Sequence, residues 1–497
     1  MQRRSLLALA LCLAFTLALL AGCSPAPQYQ AAKPGGSQAG TQSGKAGAAD
    51  SAPGAAPEGA ALSEPTPEPT PTPSIIHLNG ADYSTDQEQL TAVITAADVP
   101  LLEQFYRLKS ADFSGSDCQD ALLDWAYRHP EITVRCEARL PDGTVLPAAT
   151  RTLDLSGRDL SELRCLRLLP ELESVDLGSC EDAAESELNW QELAELERLL
   201  PQVEFRYAFT LYGKSFDLQS ETMDLNHIAM EDEGALVKQI ALCMPRLSFL
   251  DMDFCEVSDE AMADIRDSLP GTEVVWRIFF GEGRHGYSVR TNVTTILASN
   301  PDKAGTLEPE QSKSLMYCTK VRFLDLGHNK MLSDISFVSY MPDLEVAILG
   351  IGGIRDISPL ANCTKLEYLE LQTTRVTDLR PLSGLKNLRH LNLCWNFCLT
   401  DITPLYELTE LERLWIGKYD PIPPEQIEEM QRRAPNCQIN TKTEDPSGGG
   451  WRFTGNDSGG HGILHPRYEL LYEQFNYGAQ QGAYSYWNND PLYDPHD

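Results

Sequence analysis

The chain is short of positive charge. Its 497 residues include 40 lysines and arginines against 72 aspartates and glutamates, which gives a formal net charge of −32. A chain this acidic repels phosphate backbones, so we predict no nucleic-acid partner and no electrostatic binding to an anionic membrane. Solubility is the simplest explanation of the acidity. The acidic stretch Glu181–Leu200 is predicted to be a helix with a solvated face.

Catalytic signatures are missing as well. Gly44-Lys45 has alanine at both the glycine and the Ser/Thr positions that a phosphate-binding loop requires. His461 and His465 have the spacing of two zinc ligands on a helix, but the catalytic glutamate is absent and glycines flank the pair. We therefore predict that the protein is not an enzyme and that it needs no cofactor and no metal.

A short leucine repeat is the strongest feature of the sequence. Its copies begin at Val321, Leu344, Leu366, Leu388 and Leu411, in steps of 23, 22, 22 and 23 residues. In Leu-x-x-Leu-x-Leu, alternation places the last two leucines on one face of a short strand. An asparagine at the following turn can bond backbone groups between coils, and Ser358 and Thr403 are expected to cap the next helical turn. The period predicts an α/β solenoid of the leucine-rich repeat class.

The repeat resembles that of bacterial internalin-like surface proteins, Leu-x-x-Leu-x-Leu-x-x-Asn-x-Ile-x-Asp-Ile-x-Pro-Leu. It departs from that pattern where Gly352 replaces the turn asparagine and where Phe337-Val338 replace Pro-Leu. The resemblance implies a binding scaffold at a cell surface, and it carries over no ligand.

The N-terminus has the composition of a secretory signal. Arg3 and Arg4 precede an apolar run from Leu6 to Leu20, and the sequence Leu-Ala-Gly-Cys ends at Cys23. That sequence resembles the lipobox of bacterial lipoproteins, which implies cleavage before Cys23 and a diacylglyceryl thioether on its sulfur. We therefore expect a lipid-anchored protein on the extracytoplasmic face of a bacterial cell membrane. An ordinary signal peptide with a chance cysteine is the alternative.

The 13 cysteines do not suggest a disulfide framework. Cys12 leaves with the signal and Cys23 carries the lipid, so eleven remain, and an odd number cannot all pair. Several occupy repeat positions that favour small apolar side chains. We expect free buried thiols at these positions: Cys165, Cys243, Cys318 and Cys363.

A longer module precedes the short repeat. Four segments consist of a helix, a proline and a strand, and the first three prolines, Pro130, Pro201 and Pro270, lie 71 and 69 residues apart. Turn glycines between runs of Val, Ile, Phe and Tyr are typical of β-hairpins. We predict one continuous solenoid whose first coils are longer and irregular, with hairpins projecting from it. Two domains joined near residue 300 are the alternative.

Composition and period divide the chain into five parts. They are the signal (1–22), a disordered Pro/Ala/Gly/Ser-rich tether (23–75), irregular modules with hairpins (76–320), regular repeats with a C-terminal cap (321–440), and a polar aromatic tail (441–497). The tail is too short to fold alone. We expect it to dock as a cap on the end of the solenoid, because terminal coils need their apolar edge covered.

The candidate ligand site is the concave face of the regular repeat. Side chains that alternate with the buried leucines point out of this face in two columns. Exposed Tyr, Trp and Arg in adjacent rungs are the residue types that anchor interfaces. The predicted patch consists of Phe323, Tyr368, Glu370, His390, Trp395, Arg413 and Trp415. Two alternatives are not decided by the sequence: the face is an ordinary sheet surface, or the tail covers it.

Together these features predict a lipid-anchored scaffold that binds a protein, peptide or glycan at the bacterial surface. An envelope enzyme or enzyme accessory, with its site in the hairpins or the tail, is the alternative. Fold alone does not decide between them.

Overall fold

The structure is a computed structural model that describes residues 73–281, 286–299, 307–443, 451–456, 458 and 462–477. The predicted signal, Cys23, the tether up to residue 72 and the last twenty residues of the tail lie outside the described residues, as does His461. The predictions made for them stay predictions.

Short parallel strands, one per coil, build the solenoid. The long modules supply three sheets: β3 (Gln89–Thr91), β4 (Ser110–Asp112) and β5 (Thr133–Arg135); β8 (Thr152–Asp154), β9 (Ser174–Cys180) and β10 (Glu204–Leu211); and β12 (Thr222–Asp224), β13 (Phe249–Asp251) and β14 (Glu273–Val275). The short repeat supplies one seven-stranded sheet in chain order: β17 (Thr295–Leu297), β18 (Phe323–Asp325), β19 (Val346–Ile348), β20 (Tyr368–Glu370), β21 (His390–Asn392), β22 (Arg413–Gly417) and β23 (Gln438–Thr443). The α/β leucine-rich repeat solenoid is confirmed.

The hairpins predicted after the first three modules are confirmed too, and the turn predicted at Gly448-Gly449-Gly450 lies outside the described residues. After each long module the chain turns back on itself in an antiparallel pair: β6 (Ala138–Arg139) with β7 (Val145–Leu146), β10 with β11 (Lys214–Asp217), and β15 (Arg277–Phe280) with β16 (Tyr287–Arg290). A further hairpin opens the described chain, and another lies in the tail: β1 (Ile75–Leu78) with β2 (Ala81–Ser84), and β24 (Phe453–Asn456) with β25 (Gly462–Leu464).

Each helix of the long modules ends just before its proline, as predicted. The α-helices of the described residues are α1 (Gln119–Arg128), α2 (Trp190–Leu199), α3 (Ala235–Ala241), α4 (Asp259–Ser268), α5 (Pro424–Arg433) and α6 (Pro466–Gln474). The helix predicted over Glu181–Leu200 is wrong in its first half, because the Asn189 side chain accepts from the Glu192 N–H and starts α2 there. Its face is not wholly solvated either, since Glu192 is buried and accepts hydrogen bonds from the N–H groups of Leu163 and Arg164.

The core of the regular repeat is a ladder of aligned leucines. Leu369, Leu391 and Leu414 are paired across adjacent strands and are fully buried. One contiguous cluster of buried side chains continues from Ile76 to Cys437. Because each coil shares its core with the next, the coils stabilise one another.

Turn side chains complete the hydrogen bonds between coils. The Asn396 Nδ2 donates to the carbonyls of Leu371 and Leu393, both at 2.9 Å, as the repeat predicts for its turn asparagine. Ser358 and Thr403 do not cap the following turns. An aspartate two residues earlier does so instead: Asp356 Oδ1 accepts from the Ser358 N–H at 2.8 Å, and the pattern recurs at the next copies.

The four cysteines predicted to be free buried thiols are confirmed as such. The Cys243 thiol donates to the Trp190 carbonyl oxygen, with 3.0 Å between sulfur and oxygen. Burial raises the pKa of the Cys165 thiol to about 12 and that of Cys363 to about 11. These thiols are therefore structural rather than reactive.

Candidate functional site

The concave face of the seven-stranded sheet holds the two predicted columns in register. Tyr368 lies opposite His390, which lies opposite Arg413, and Trp415 lies in the neighbouring column two places from Glu370. Phe323 belongs to the first column, on β18. Trp395 follows β21 with a φ of +63°, in the left-handed region. The structure therefore brings all seven predicted residues to one face.

The prediction that this face is exposed is wrong. Tyr368, Glu370, His390, Arg413 and Trp415 are between 0% and 5% exposed. The cause is the C-terminal roof, the name used here for residues 451–456 and 462–477, which fold back across the concave sheet. Phe323 and Trp395 are half-buried at its margins. Coverage by the tail, the alternative left open by the sequence, is what the structure shows for these residues, and the prediction that they dock on the end of the solenoid is wrong.

Glu370 is the polar centre beneath the roof. One carboxylate oxygen accepts from the Tyr368 hydroxyl at 2.5 Å and from the Trp451 indole N–H at 2.9 Å. The other accepts from Gln372 Nε2 at 2.9 Å and from the Arg452 guanidinium at 3.2 Å. Burial by itself would raise the pKa of Glu370, but the charge of Arg452 and these hydrogen bonds hold it below its usual value. A fully buried carboxylate is tolerated here because every lone-pair direction is used.

Trp451 fills the middle of the face. It is 1% exposed, and its ring centroid lies 5.7 Å from those of both Tyr368 and Trp415. The Arg413 guanidinium lies over the Trp451 ring, 5.2 Å from the centroid, and donates to the Trp451 backbone carbonyl at 2.7 Å. The tryptophan is thus held by aromatic packing, a cation–π contact and two hydrogen bonds.

Helix α6 covers the other half of the face. Tyr468, Leu471 and Phe475 recur at helical spacing, are buried, and point towards the sheet. Phe475 meets the ring of Phe323 edge-on at 6.4 Å between centroids. Polar contacts from the roof to the solenoid flank this apolar stripe: Arg467 with Glu367, Gln474 with Thr295, and Tyr477 with Asp325. Burial raises the pKa of Asp325 to about 6, and its hydrogen bonds only partly offset this.

Most of the residues that sequence reasoning missed belong to the roof, and Gln372, on the sheet side, is a further one. The signals for the roof residues were the pair Trp451-Arg452 and the i, i+3, i+7 spacing of Tyr468, Leu471 and Phe475. These signals indicate an amphipathic helix after an anchoring tryptophan. They do not say which surface of the solenoid receives them.

His390 has an unusual environment within the site. It is 3% exposed, and neither ring nitrogen has a hydrogen-bond partner among the described residues. Its ring lies between those of Tyr368, Trp451 and His465 at 5.4 to 6.2 Å. Burial, and then the nearby charges of Arg467, His465 and Arg413, lower the pKa of His390 to about 3. The imidazole is therefore neutral at physiological pH.

This environment predicts an acid-sensitive site. Because the pKa of His390 is lowered on folding, the unfolded chain binds a proton at this imidazole at a higher pH than the folded chain does. The stability that the neutral imidazole contributes is fully present above about pH 6.5. It is lost at about 1.4 kcal/mol per pH unit as pH falls towards 3. The free energy of unfolding of His390→Phe should therefore decline less between pH 7 and pH 4.5 than that of the native chain, as measured by urea titration. His77→Phe, at an exposed histidine, is the control. Equal declines in all three proteins would contradict the prediction.

Comparisons with known proteins give partial matches. No protein-family model matches the chain. Cilia- and flagella-associated protein 410 of Mus musculus is 36% identical over 86 residues, and that of Homo sapiens is 35% identical over 86 residues. Each match covers 17% of this chain and 34% of the relative, so the chain spans about a third of the length of these curated relatives.

Solved structures with similarity to the chain include two internalins of Listeria monocytogenes and a leucine-rich repeat protein of Leptospira interrogans. The first internalin is 17% identical, covering 69% of this chain and 78% of its own, with a TM-score of 0.23. Internalin C2 is 20% identical, and the match covers 45% of this chain and 80% of internalin C2 with a TM-score of 0.25. The Leptospira protein is 16% identical, and the match covers 68% of this chain and 91% of that protein with a TM-score of 0.27. The fold of this chain is a leucine-rich repeat solenoid. That conclusion rests on its own strand register and period.

Proposed function

We propose that the protein is a lipid-anchored scaffold on the extracytoplasmic face of a bacterial membrane, and that its concave sheet binds a polypeptide. The observation that supports polypeptide binding is the occupant of the sheet, which is a polypeptide segment supplied by the chain itself. The Trp451-Arg452 pair sits on Glu370 and Arg413 as the anchor residues of a bound peptide would.

The chemistry of the face defines the ligand. Without the roof, Glu370 would lose two of its four donors, and the rings of Tyr368 and Trp415 would face water. A polypeptide that replaces the roof must therefore supply an aromatic side chain and an adjacent cation. The acidic net charge of −32 favours the approach of such a basic ligand.

The roof is suited to act as a competitor for the same face. Its apolar residues form a cluster of their own with the concave side chains, separate from the leucine core of the coils. Residues 444–450 connect it to β23 and include Gly448-Gly449-Gly450. An intramolecular segment has a high effective concentration, so a ligand must bind more tightly than the roof or be present in excess.

A peptide-display selection tests the proposal. A chain that ends at Thr443 should select peptides with an aromatic residue next to Lys or Arg, and the chain that ends at Tyr477 should bind the same peptides more weakly. Tyr368→Ala with Trp415→Ala should abolish binding in both, because these rings form the aromatic floor. Exposed Tyr419→Ala is the matched control. Selection of unrelated peptides, or retention of binding in the double variant, would contradict the proposal.

Anchoring is the second part of the proposal, and its test is direct. Cys23→Ala is expected to abolish incorporation of a palmitate analogue and to leave an unprocessed or released form, because Cys23 is the cysteine that ends the lipobox-like sequence. Cys12→Ala, within the signal, is the control and should label normally. Equal labelling of the native chain and Cys23→Ala would rule out Cys23 as the anchor. Within the described residues, no helix is long and apolar enough to cross a membrane.

A further inference from the structure

A cavity lies between the concave sheet and the roof, beside the Glu370 centre. It has a volume of about 230 Å³ and is lined by polar and aromatic groups, which include Asp325, His328, Gln372, Arg452, Tyr468 and Tyr477. The residues two places beyond the end of β18 and β19 are Gly327 and Gly350. A Cβ at Gly350 would lie 2.4 Å from the Gln372 amide, so glycine is required for the present position of that amide.

Two residues that line this cavity each have a buried polar atom with no partner among the described residues. Gln372 is 2% exposed and donates through Nε2 to Glu370, but its Oε1 accepts no hydrogen bond from any described residue. The Nε of Arg452 is also buried and has no acceptor in the described part of the chain. An unpaired buried polar atom costs about 1–3 kcal/mol, so a buried acceptor and a buried donor in residues that line one cavity indicate a ligand with both functions.

The charges of the wall favour a neutral ligand. Asp325 on the wall disfavours an anion, while the guanidinium of Arg452, which is paired with Glu370 beside the cavity, disfavours a cation. Hydroxyl groups both donate and accept, and so they match Gln372 Oε1 and Arg452 Nε together. The rings of Tyr468 and Tyr477 lie nearly parallel, 6.4 Å apart, and offer flat surfaces for the C–H groups of a small ring.

Size restricts the ligand further. Drug-sized ligands occupy pockets of roughly 300–1,000 Å³, and this cavity is smaller, which limits the ligand to a single ring. We propose that the cavity binds one monosaccharide unit, either a free sugar or the end of a glycan. This inference goes beyond polypeptide binding. Because Arg452, Tyr468 and Tyr477 belong to the roof, the sugar site exists only while the roof is docked.

Titration calorimetry on the full chain tests the proposal. The probes are D-glucose, D-galactose and N-acetyl-D-glucosamine, together with their methyl glycosides and the disaccharides cellobiose and lactose. At least one monosaccharide should bind saturably with a stoichiometry of one. Preference for the free sugar over its methyl glycoside and the disaccharides would indicate a free-sugar site, and equal binding would indicate a glycan end.

Variants locate the bound sugar. Gly350→Ala should weaken binding by about tenfold or more, which corresponds to about 1.4 kcal/mol, because its Cβ displaces the Gln372 amide. Gly384→Ala is the control, since a Cβ there meets nothing within 4 Å. If Gly350→Ala does not fold, Tyr468→Ala removes one ring from the roof side and should have the same effect. No saturable binding of any probe, or binding that both cavity variants leave unchanged, would overturn the proposal.

Discussion

Replacement of Leu391 by aspartate is expected to unfold the regular repeat. Leu391 is 0% exposed and lies between Leu369 and Leu414 on the neighbouring strands. A carboxylate there would have no counter-charge, so we expect a loss of about 4 kcal/mol or more in the free energy of unfolding. Loss of the shared core should spread to adjacent coils, because each coil is stabilised by its neighbours.

Thermal and urea unfolding followed by circular dichroism measure the effect. Thr400→Asp is the control, because it adds the same charge at an exposed position of the same coil. A native-like melt of Leu391→Asp would mean that the leucine register is wrong.

The second large effect is expected at Glu370. In Glu370→Ala, Arg452 loses its carboxylate partner and the Trp451 indole N–H loses its acceptor. Loss of one partner of a fully buried ion pair costs about 3–5 kcal/mol, which is the upper limit here because the Arg452 side chain is half-buried. The chain can avoid this cost by releasing the roof, which has a cluster separate from the leucine core. We therefore expect the roof to undock while the solenoid stays folded.

Hydrogen–deuterium exchange of the full chain resolves the two regions. Amides of residues 466–475 should exchange rapidly in Glu370→Ala, and amides of the leucine strands should stay protected. Glu410→Ala, which removes an exposed carboxylate paired with Arg389, is the control and should leave the roof protected. If the roof amides stay protected in Glu370→Ala, the contacts of Glu370 with Trp451 and Arg452 do not hold the roof on the sheet.

The sequence was sufficient to predict the coils. The Leu-x-x-Leu-x-Leu phrase fixed the strands from Phe323 to Trp415 in the correct register, because alternation and a constant step leave one consistent stacking. The prolines at 130, 201, 270 and 435 correctly marked the ends of helices, since a proline removes an N–H donor. Local rules succeed where one short segment decides the outcome.

Capping was predicted less well, because several side chains compete for the same backbone groups. Ser358 and Thr403 are good capping residues by type, but the aspartates two positions earlier reach the same N–H groups. Asn189 similarly caps the N-terminus of α2, so that helix begins at Trp190 and not at Glu181 as predicted. Such competition depends on backbone geometry that residue type alone does not specify.

The candidate site shows the limit of local rules. Alternation correctly placed Tyr368, Glu370 and Arg413 on the concave face, but a column of side chains has the same pattern whether it faces water or another segment. The roof contacts that face across long sequence separations, 81 residues between Glu370 and Trp451. No periodicity spans such a distance, so burial of the site could not be deduced from the sequence.

The central claim is that the concave sheet is a polypeptide-binding face that the roof occupies. The most direct measurement uses titration calorimetry to follow the binding of a synthetic peptide of residues 451–477 to a chain that ends at Thr443. Saturable binding with a stoichiometry of one is predicted, and it should be lost with Trp451→Ala in the peptide or Glu370→Ala in the chain. Failure of the native peptide to bind a folded chain would contradict the claim. So would a Trp451→Ala peptide and a Glu370→Ala chain that each bind as tightly as the native sequences.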